Sequence, residues 1–334
     1  FLELSQYSFS HNLFMEGRLR KIVGVVLLYW VTSISIVFLN KHLLSGRFGK
    51  HDLSIFVAWF QCLVSVVVLL IAKSATRYVS IPSLDLGILL NSNVLLLSIN
   101  FVASLTLNNL MLKHVAVAFY QIARSFTLIF TIILSVFMLK KSIKCLTLFS
   151  CFLVICGFFV SVEEEEQSGT LSIWGIIYGI LSSLSAAFCA IYFRKVDEVM
   201  NGSPIKIAYY NNVNSFFIFL PLVISTNQLT YVFSSDIIYD YFFWLYLFLS
   251  GLMSLTIGWA SALQIQYTSP VTHHISINAK SVAQTLLAIM YYREVKTFWW
   301  WVGNMLVMLG IMSYLFFGWL SLLFKNYEIF TGLL

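Results

Sequence analysis

No acidic residue falls inside any of the long apolar runs of this chain. All 14 Asp and Glu side chains sit between the runs or at their ends, with Asp85, Asp240 and Glu294 closest to one. Charge of either sign is scarce, at 10% of 334 residues against 60% hydrophobic. A water-facing surface draws on about 25% charged residues, so a soluble globular domain is excluded. Stretches of about 18 or more largely apolar residues follow one another, each able to cross a bilayer core of roughly 30 Å as a helix. The chain is therefore a polytopic membrane protein.

Other scarcities exclude further classes. The five cysteines (Cys62, Cys145, Cys151, Cys156 and Cys189) lie in or beside apolar runs. The Cys151–Cys156 spacing suits no metal pattern, and no disulfide framework is suggested, so they read as small hydrophobes. His273 and His274 are adjacent, about 100° apart on a helix, and cannot form a two-ligand metal face. Proton relays generally use intramembrane Asp, Glu or His, which argues against proton coupling. A membrane transferase needs a carboxylate for acid–base or metal work, and an amine exporter needs a buried acid; the runs offer neither. The opening residues lack a signal peptide's apolar core and cleavage site, and a start at Phe1 leads us to expect residues before it. Asn201-Gly202-Ser203 fits a glycosylation triplet but is discounted, because Pro204 follows it and the topology below faces it to the cytosol.

Ten apolar runs are expected to span, at roughly 20–40, 53–72, 86–112, 115–139, 145–162, 171–193, 205–227, 240–264, 268–292 and 297–320. The even-numbered connections and both termini hold Arg18, Arg20, Lys21, Lys73, Arg77, Lys140, Lys141, Lys144, Arg194, Lys195, Lys206 and Lys325, twelve basic residues. The odd-numbered connections hold six: Lys41, Arg47, Lys50, Lys113, Arg293 and Lys296. The positive-inside rule then puts both termini in the cytosol. The acidic run Glu163–Glu166 faces the other compartment and reads as a solvated loop.

The halves resemble one another at an offset of about 150 residues. AWFQCLV (58–64) matches AYYNNVN (208–214), VFLNK (37–41) matches IYFRK (191–195), and LVICG (153–157) matches LVMLG (306–310). The run from Val117 to Arg124 corresponds to that from Val271 to Lys280 with a two-residue shift. A repeat of five spans enters the membrane from opposite sides. The expected fold is all-α, with ten transmembrane helices as two inverted five-helix repeats, residues 20–162 and 171–320. Inverted repeats of this kind place a substrate site between the halves near the midplane.

The two basic residues left over, Arg124 and Lys280, are central to their spans and occupy equivalent places. A basic group at a helix centre costs about 2.5–3.5 kcal/mol on insertion scales and normally faces a cavity and a partner. With no buried carboxylate, the counter-charge is expected from an anionic substrate bearing one phosphate or two. The plainer alternative is that both bind backbone carbonyls or snorkel to an interface. The densest polar cluster is YYNNVN (209–214). Its Asn side chains offer donors and acceptors that suit a nucleobase edge, or else they pack helices together. Pro221 interrupts the seventh span and Pro270 opens the ninth, where the backbone can loosen around a cavity.

The runs LYWVTSISIVFLNK (28–41), VAFYQIARS (117–125), YYNNVN (209–214), TSPVTH (268–273), NAKSVAQT (278–285) and YYREVK (291–296) together resemble those of the Golgi GDP-fucose transporters. These belong to the nucleotide-sugar transporters of the drug/metabolite transporter superfamily, and the likeness extends over about residues 20–320. It implies GDP-fucose entering the Golgi lumen in exchange for GMP by alternating access, with no catalytic residues, metal or cofactor. A motif FYNN that contacts guanine in related carriers falls on Tyr209, Tyr210, Asn211 and Asn212, with Asn214 beside it. A second motif, GALNK, falls on SINAK (276–280) and ends in Lys280. That departure puts GDP-mannose in doubt as the main substrate. Arg124 resembles the basic residue of the equivalent motif in the first half. On this reading Lys280 and Arg124 hold the diphosphate, and Tyr120, Ser276, Asn278, Thr272 and His273 line the sugar end. The partners implied are GDP-fucose, GMP and the lipid bilayer, without nucleic acid, and a homodimer is left open. A carrier of GDP-mannose or a UDP-sugar is the nearest alternative, and an integral-membrane glycosyltransferase a more distant one.

Overall fold

The computed structural model describes residues 2–331 except 46, 47, 49, 50, 76–83, 141–144, 168, 170, 171, 268 and 269. Side chains are described from Arg20 to Phe316 apart from these and 139, 204, 262, 265, 266, 270–275 and 278. Every regular element among the described residues is a helix. In order they are α1 (Leu2–Leu43), α2 (Ser54–Ala75), α3 (Leu86–Leu89), α4 (Ser92–His114), α5 (Val117–Arg124), α6 (Phe126–Leu139) and α7 (Cys145–Gln167). There follow α8 (Ile173–Val199), α9 (Pro204–Ser225), α10 (Gln228–Ser234), a short 3-10 turn, α11 (Tyr241–Tyr267), α12 (Pro270–Tyr292) and α13 (Phe298–Thr331).

Nine helical stretches among the described residues are long and apolar enough to cross a membrane, α5 and α6 counting together as one. The expected ninth span is present as α12. At 23 residues it is long enough, but THHISINAKSVAQT makes it too polar to be one of the nine. Of its described polar side chains, Ser276, Lys280 and Ser281 meet other helices rather than lipid. The expected third and fourth spans are each broken in two, after Leu89 and at Ser125.

Packing follows small residues. The broadest helix contact joins α7 to α13, where a Cβ on Gly157 would come within 2.5 Å of the Gly303 carbonyl oxygen. Helices driven together by close packing rather than by the hydrophobic effect need such positions. The next broadest contacts are α4 with α8, α1 with α11, α2 with α9, α2 with α11, α6 with α8 and α4 with α9. A buried polar chain ties α1, α2, α4 and α11. Gln61 Nε2 donates to Asn40 Oδ1 (3.0 Å) and Ser250 Oγ (3.2 Å), and Asn109 Nδ2 donates to the Ser54 carbonyl (3.1 Å).

The acidic run departs from the expected solvated loop. Glu163–Glu166 form the last turn of α7, and only Glu163 and Glu166 are exposed. Glu165 is 2% exposed and pairs with Lys296 at 2.5 Å, while Lys296 also meets Glu294 at 3.1 Å. Trp300 Nε1 donates to Glu165 (3.0 Å), and the Thr297 hydroxyl donates to Glu164. These carboxylates are buried because Lys296, four places past the end of α12, supplies a compensating charge. At the same end of the bundle Lys41 Nζ donates to the carbonyls of Leu112 (2.6 Å) and Val115 (2.8 Å), closing the C-terminus of α4. Lys113 pairs with Asp52 at 3.3 Å.

Removing one partner of a buried pair leaves an uncompensated charge, at a cost of about 3–5 kcal/mol. Glu165→Ala is therefore expected to lower the thermal unfolding temperature of the purified protein sharply, whereas Glu163→Ala leaves it unchanged.

Candidate functional site

Arg124 owes its position to a broken helix. At Ser125 the backbone N–H turns back to the Ile122 carbonyl (3.1 Å), and the Ser125 hydroxyl donates to the same oxygen (2.6 Å). Ser183 of α8 donates its hydroxyl to the Ala123 carbonyl at 3.2 Å. Non-helical backbone at membrane depth is tolerated where side chains satisfy it in this way. The break puts Arg124 in the last turn of α5, where a cation meets the negative end of the helix dipole. Its Nη1 donates to the Tyr120 hydroxyl at 3.1 Å, with the guanidinium carbon 5.5 Å from the centre of the Tyr120 ring. The Arg124 side chain is exposed, while Tyr120, Ile122, Ala123 and Ser125 around it are buried.

Lys280 lies in the unbroken middle of α12 and is 5% exposed. Its Nζ donates to Ser33 Oγ of α1 at 3.0 Å. One turn earlier Ser276 Oγ accepts from Trp30 Nε1 at 2.9 Å. Buried Tyr29 bonds to Ser33 and lies close enough to Arg124 to feel its charge, as does Lys280. Among the described residues neither cation has a carboxylate partner; hydroxyls alone accept from them. Two neighbouring positive charges in a low-dielectric interior repel one another, and neutral hydroxyls do not cancel them. Such a pair suits a dianionic ligand such as a diphosphate, whose oxygens accept charge-assisted hydrogen bonds from both.

The expected site residues thus separate into groups. Arg124, Tyr120, Lys280 and Ser276 come together around α1. Tyr209, Tyr210, Asn211, Asn212 and Asn214 sit on α9 against α3 and α4. The Tyr210 hydroxyl accepts from the Asp85 backbone N–H (3.2 Å), Asn211 Oδ1 accepts from Ser98 (3.1 Å), and Asn214 Nδ2 donates to the Leu89 carbonyl (3.0 Å). Asn212 Nδ2 donates to Ala208 of its own helix (2.8 Å). No hydrogen bond or ring contact among the described residues joins this run to the cation pair. Asn214 is thereby occupied in packing, while the Asn211 amide nitrogen and the Asn212 carbonyl oxygen stay uncommitted. Thr272, His273 and Asn278 lie on α12 with side chains outside the described set.

Three site residues went unremarked in the sequence: Tyr29, Trp30 and Ser33. Their signal was a polar face at i and i+3 or i+4 in an otherwise apolar run, which bears on which side of α1 faces the interior. No group of three or more His, Cys, Asp or Glu among the described residues is arranged to hold a metal.

The model of the Triose-phosphate Transporter family matches residues 20–315. A Mus musculus protein named "GDP-fucose transporter 1" is 40% identical over 315 residues, covering 93% of this chain and 87% of its own length. "GDP-fucose transporter, Golgi" of Drosophila melanogaster is 38% identical over 312 residues, covering 91% and 92%. A solved crystal structure superposes with a TM-score of 0.55 at 12% identity, over 94% of this chain and 99% of the other, a likeness of fold alone.

If planar, two-pronged donation matters at Arg124, a point charge cannot replace it. Arg124→Lys is expected to weaken GDP binding about tenfold by calorimetry, the equivalent of about 1.4 kcal/mol. Ser33→Ala, which removes the resting partner of Lys280 and a hydrogen bond to Tyr29 but no charge, is expected to change it less than threefold.

Proposed function

The chain belongs to the Triose-phosphate Transporter family, and we propose that it carries GDP-fucose into the Golgi lumen in exchange for GMP by alternating access. It is a transporter rather than an enzyme. The observation that carries the substrate reading is the uncancelled pair Arg124 and Lys280, held only by Tyr120 and Ser33. The names of the relatives supply the sugar and the organelle.

In this reading Lys280 and Arg124 hold the diphosphate, and Tyr29, Tyr120 and Ser276 form walls around it. Guanine offers an acceptor at O6 and donors at N1 and N2, which complement the uncommitted Asn211 amide nitrogen and Asn212 carbonyl oxygen. Exchange fits a site whose own charge stays unbalanced when empty. Returning across the membrane with GMP bound keeps the cations neutralised on both strokes.

The halves at 20–162 and 171–320 are read as inverted repeats, with α12 as the tenth crossing. The helix pairing supports this. Exchanging the halves turns the α4–α8 contact into α11–α1 and the α2–α11 contact into α9–α4, while α7–α13, α2–α9 and α5–α12 map onto themselves. Cytosolic termini are supported by the smaller number of basic residues at the opposite end. Lys41, Lys113 and Lys296 are each committed to carbonyls or carboxylates, which leaves the orientation resting on the count of twelve to six.

Counter-transport in proteoliposomes tests the whole reading. Vesicles preloaded with GMP are expected to take up labelled GDP-fucose well above those preloaded with UMP, and above their own uptake of GDP-mannose or UDP-galactose. Lys280→Ala and Arg124→Ala should insert normally and lose exchange. A preference for UMP would sink the guanine assignment, and transfer of the label to an acceptor would sink transport itself.

A further inference from the structure

Gln284 of α12 is fully buried, and neither its amide nitrogen nor its carbonyl oxygen has a partner. Among the described residues it is the one side chain with both polar atoms left this way. A buried polar group without a partner costs about 1–3 kcal/mol, and lipid offers no water to relieve it. Helix geometry fixes where it points. Lys280 faces α1 through Ser33. Ser281, about 100° further round, faces α5 and donates to Gln121 Oε1 at 3.4 Å. Gln284 lies about 40° past Lys280, between those two directions, and so points toward the crevice between α1 and α5.

Across that crevice Gln121 sits one turn before Arg124, and its amide nitrogen is also buried without a partner. On its other side Gln121 borders a cavity of about 30 Å³, whose further polar lining is Ser281, Thr285 and Asn304. It admits a single hydroxyl group or one water.

We infer that Gln121 and Gln284 form a neutral carboxamide site flanking the two cations, and that it takes the hydroxyl groups of the sugar attached to the diphosphate. The inference rests on the transport reading. A phosphate oxygen only accepts, so it would leave the Gln284 carbonyl oxygen unpaired. A sugar hydroxyl both donates and accepts, which answers both ends of a carboxamide. Position favours the sugar over the base as well. Gln284 lies one helical turn from Lys280, with Cβ atoms about 5–6 Å apart. The sugar is bonded directly to the diphosphate, whereas the ribose separates the base from it.

The test compares GDP-fucose and GDP binding by calorimetry in the wild type, Gln284→Leu and Gln121→Leu, with thermal unfolding of each. Each variant is expected to bind GDP-fucose about tenfold more weakly than the wild type does and GDP within twofold of it. For Gln284→Leu, replacing an unpaired buried amide by an apolar side chain should leave the unfolding temperature unchanged or raised. Equal losses for the two ligands, or none, would overturn the inference while leaving the transport reading intact. So would a lower unfolding temperature with sugar discrimination preserved, the mark of a glutamine satisfied by structural water. A wild type that binds neither ligand would overturn the inference and the transport reading together.

Discussion

Two positive charges inside a membrane protein, with nothing negative beside them, constrain most of the rest. Arg124 and Lys280 are close enough to repel one another, and the hydroxyls of Tyr120 and Ser33 are their only acceptors among the described residues. A fold with buried carboxylates here would be more comfortable at rest and useless for holding an anion. The cost is offset locally. The break at Ser125 turns the negative end of α5 toward the guanidinium, and the Tyr120 ring lies against it. The polar stripe of α12 meets α1 through Trp30 and Ser33 rather than facing lipid.

The other end of the bundle solves the opposite problem. There several charges are paired, by Glu165 and Glu294 at Lys296, Asp52 at Lys113 and helix carbonyls at Lys41. The Glu165–Lys296 pair sits at the α7–α13 contact, where Gly157 and Gly303 already bring backbones together. Tight backbone packing and a buried ion pair both resist separation, so this corner is suited to staying fixed. The looser contacts lie elsewhere, where α12 meets α1 through single hydrogen bonds. Rigidity and unbalanced charge are thus kept apart in the molecule.

Much of this was legible in the sequence, because membrane helices obey few rules. Length and apolarity pointed to ten spans, nine of which are long apolar helices among the described residues, and the count of basic residues gave an expected orientation. The ninth expected run was readable by length but not by hydropathy, since α12 faces other helices along its polar side. Arg124 and Lys280 stood out because a lone cation in an apolar run has no ordinary use. Glu164 and Glu165 were misread because adjacent like charges usually mark solvent, and only the fold shows that Lys296, some 130 residues later, neutralises one of them. Tyr29, Trp30 and Ser33 were present in a quoted run, yet nothing short of the packing says which face of α1 turns inward.

The repeat explains what the site shares between its halves, and its departures explain what the site distinguishes. Equivalent cations arrive by different local structures, Arg124 at the end of a broken helix and Lys280 within a continuous one. A fork at a helix end and a point charge in mid-helix differ in geometry, which on the proposed reading suits the two phosphates of one ligand. Similarly, YYNNVN of α9 stands where α2 carries WFQC, and Gln61 of that run is spent on Asn40 and Ser250. The second half can therefore offer uncommitted amides where the first half has none to spare. On the transport reading proposed above, a symmetric scaffold would let both compartments reach the site by equivalent motions. The asymmetric side chains would then orient a ligand with a base at one end and a sugar at the other in a single direction.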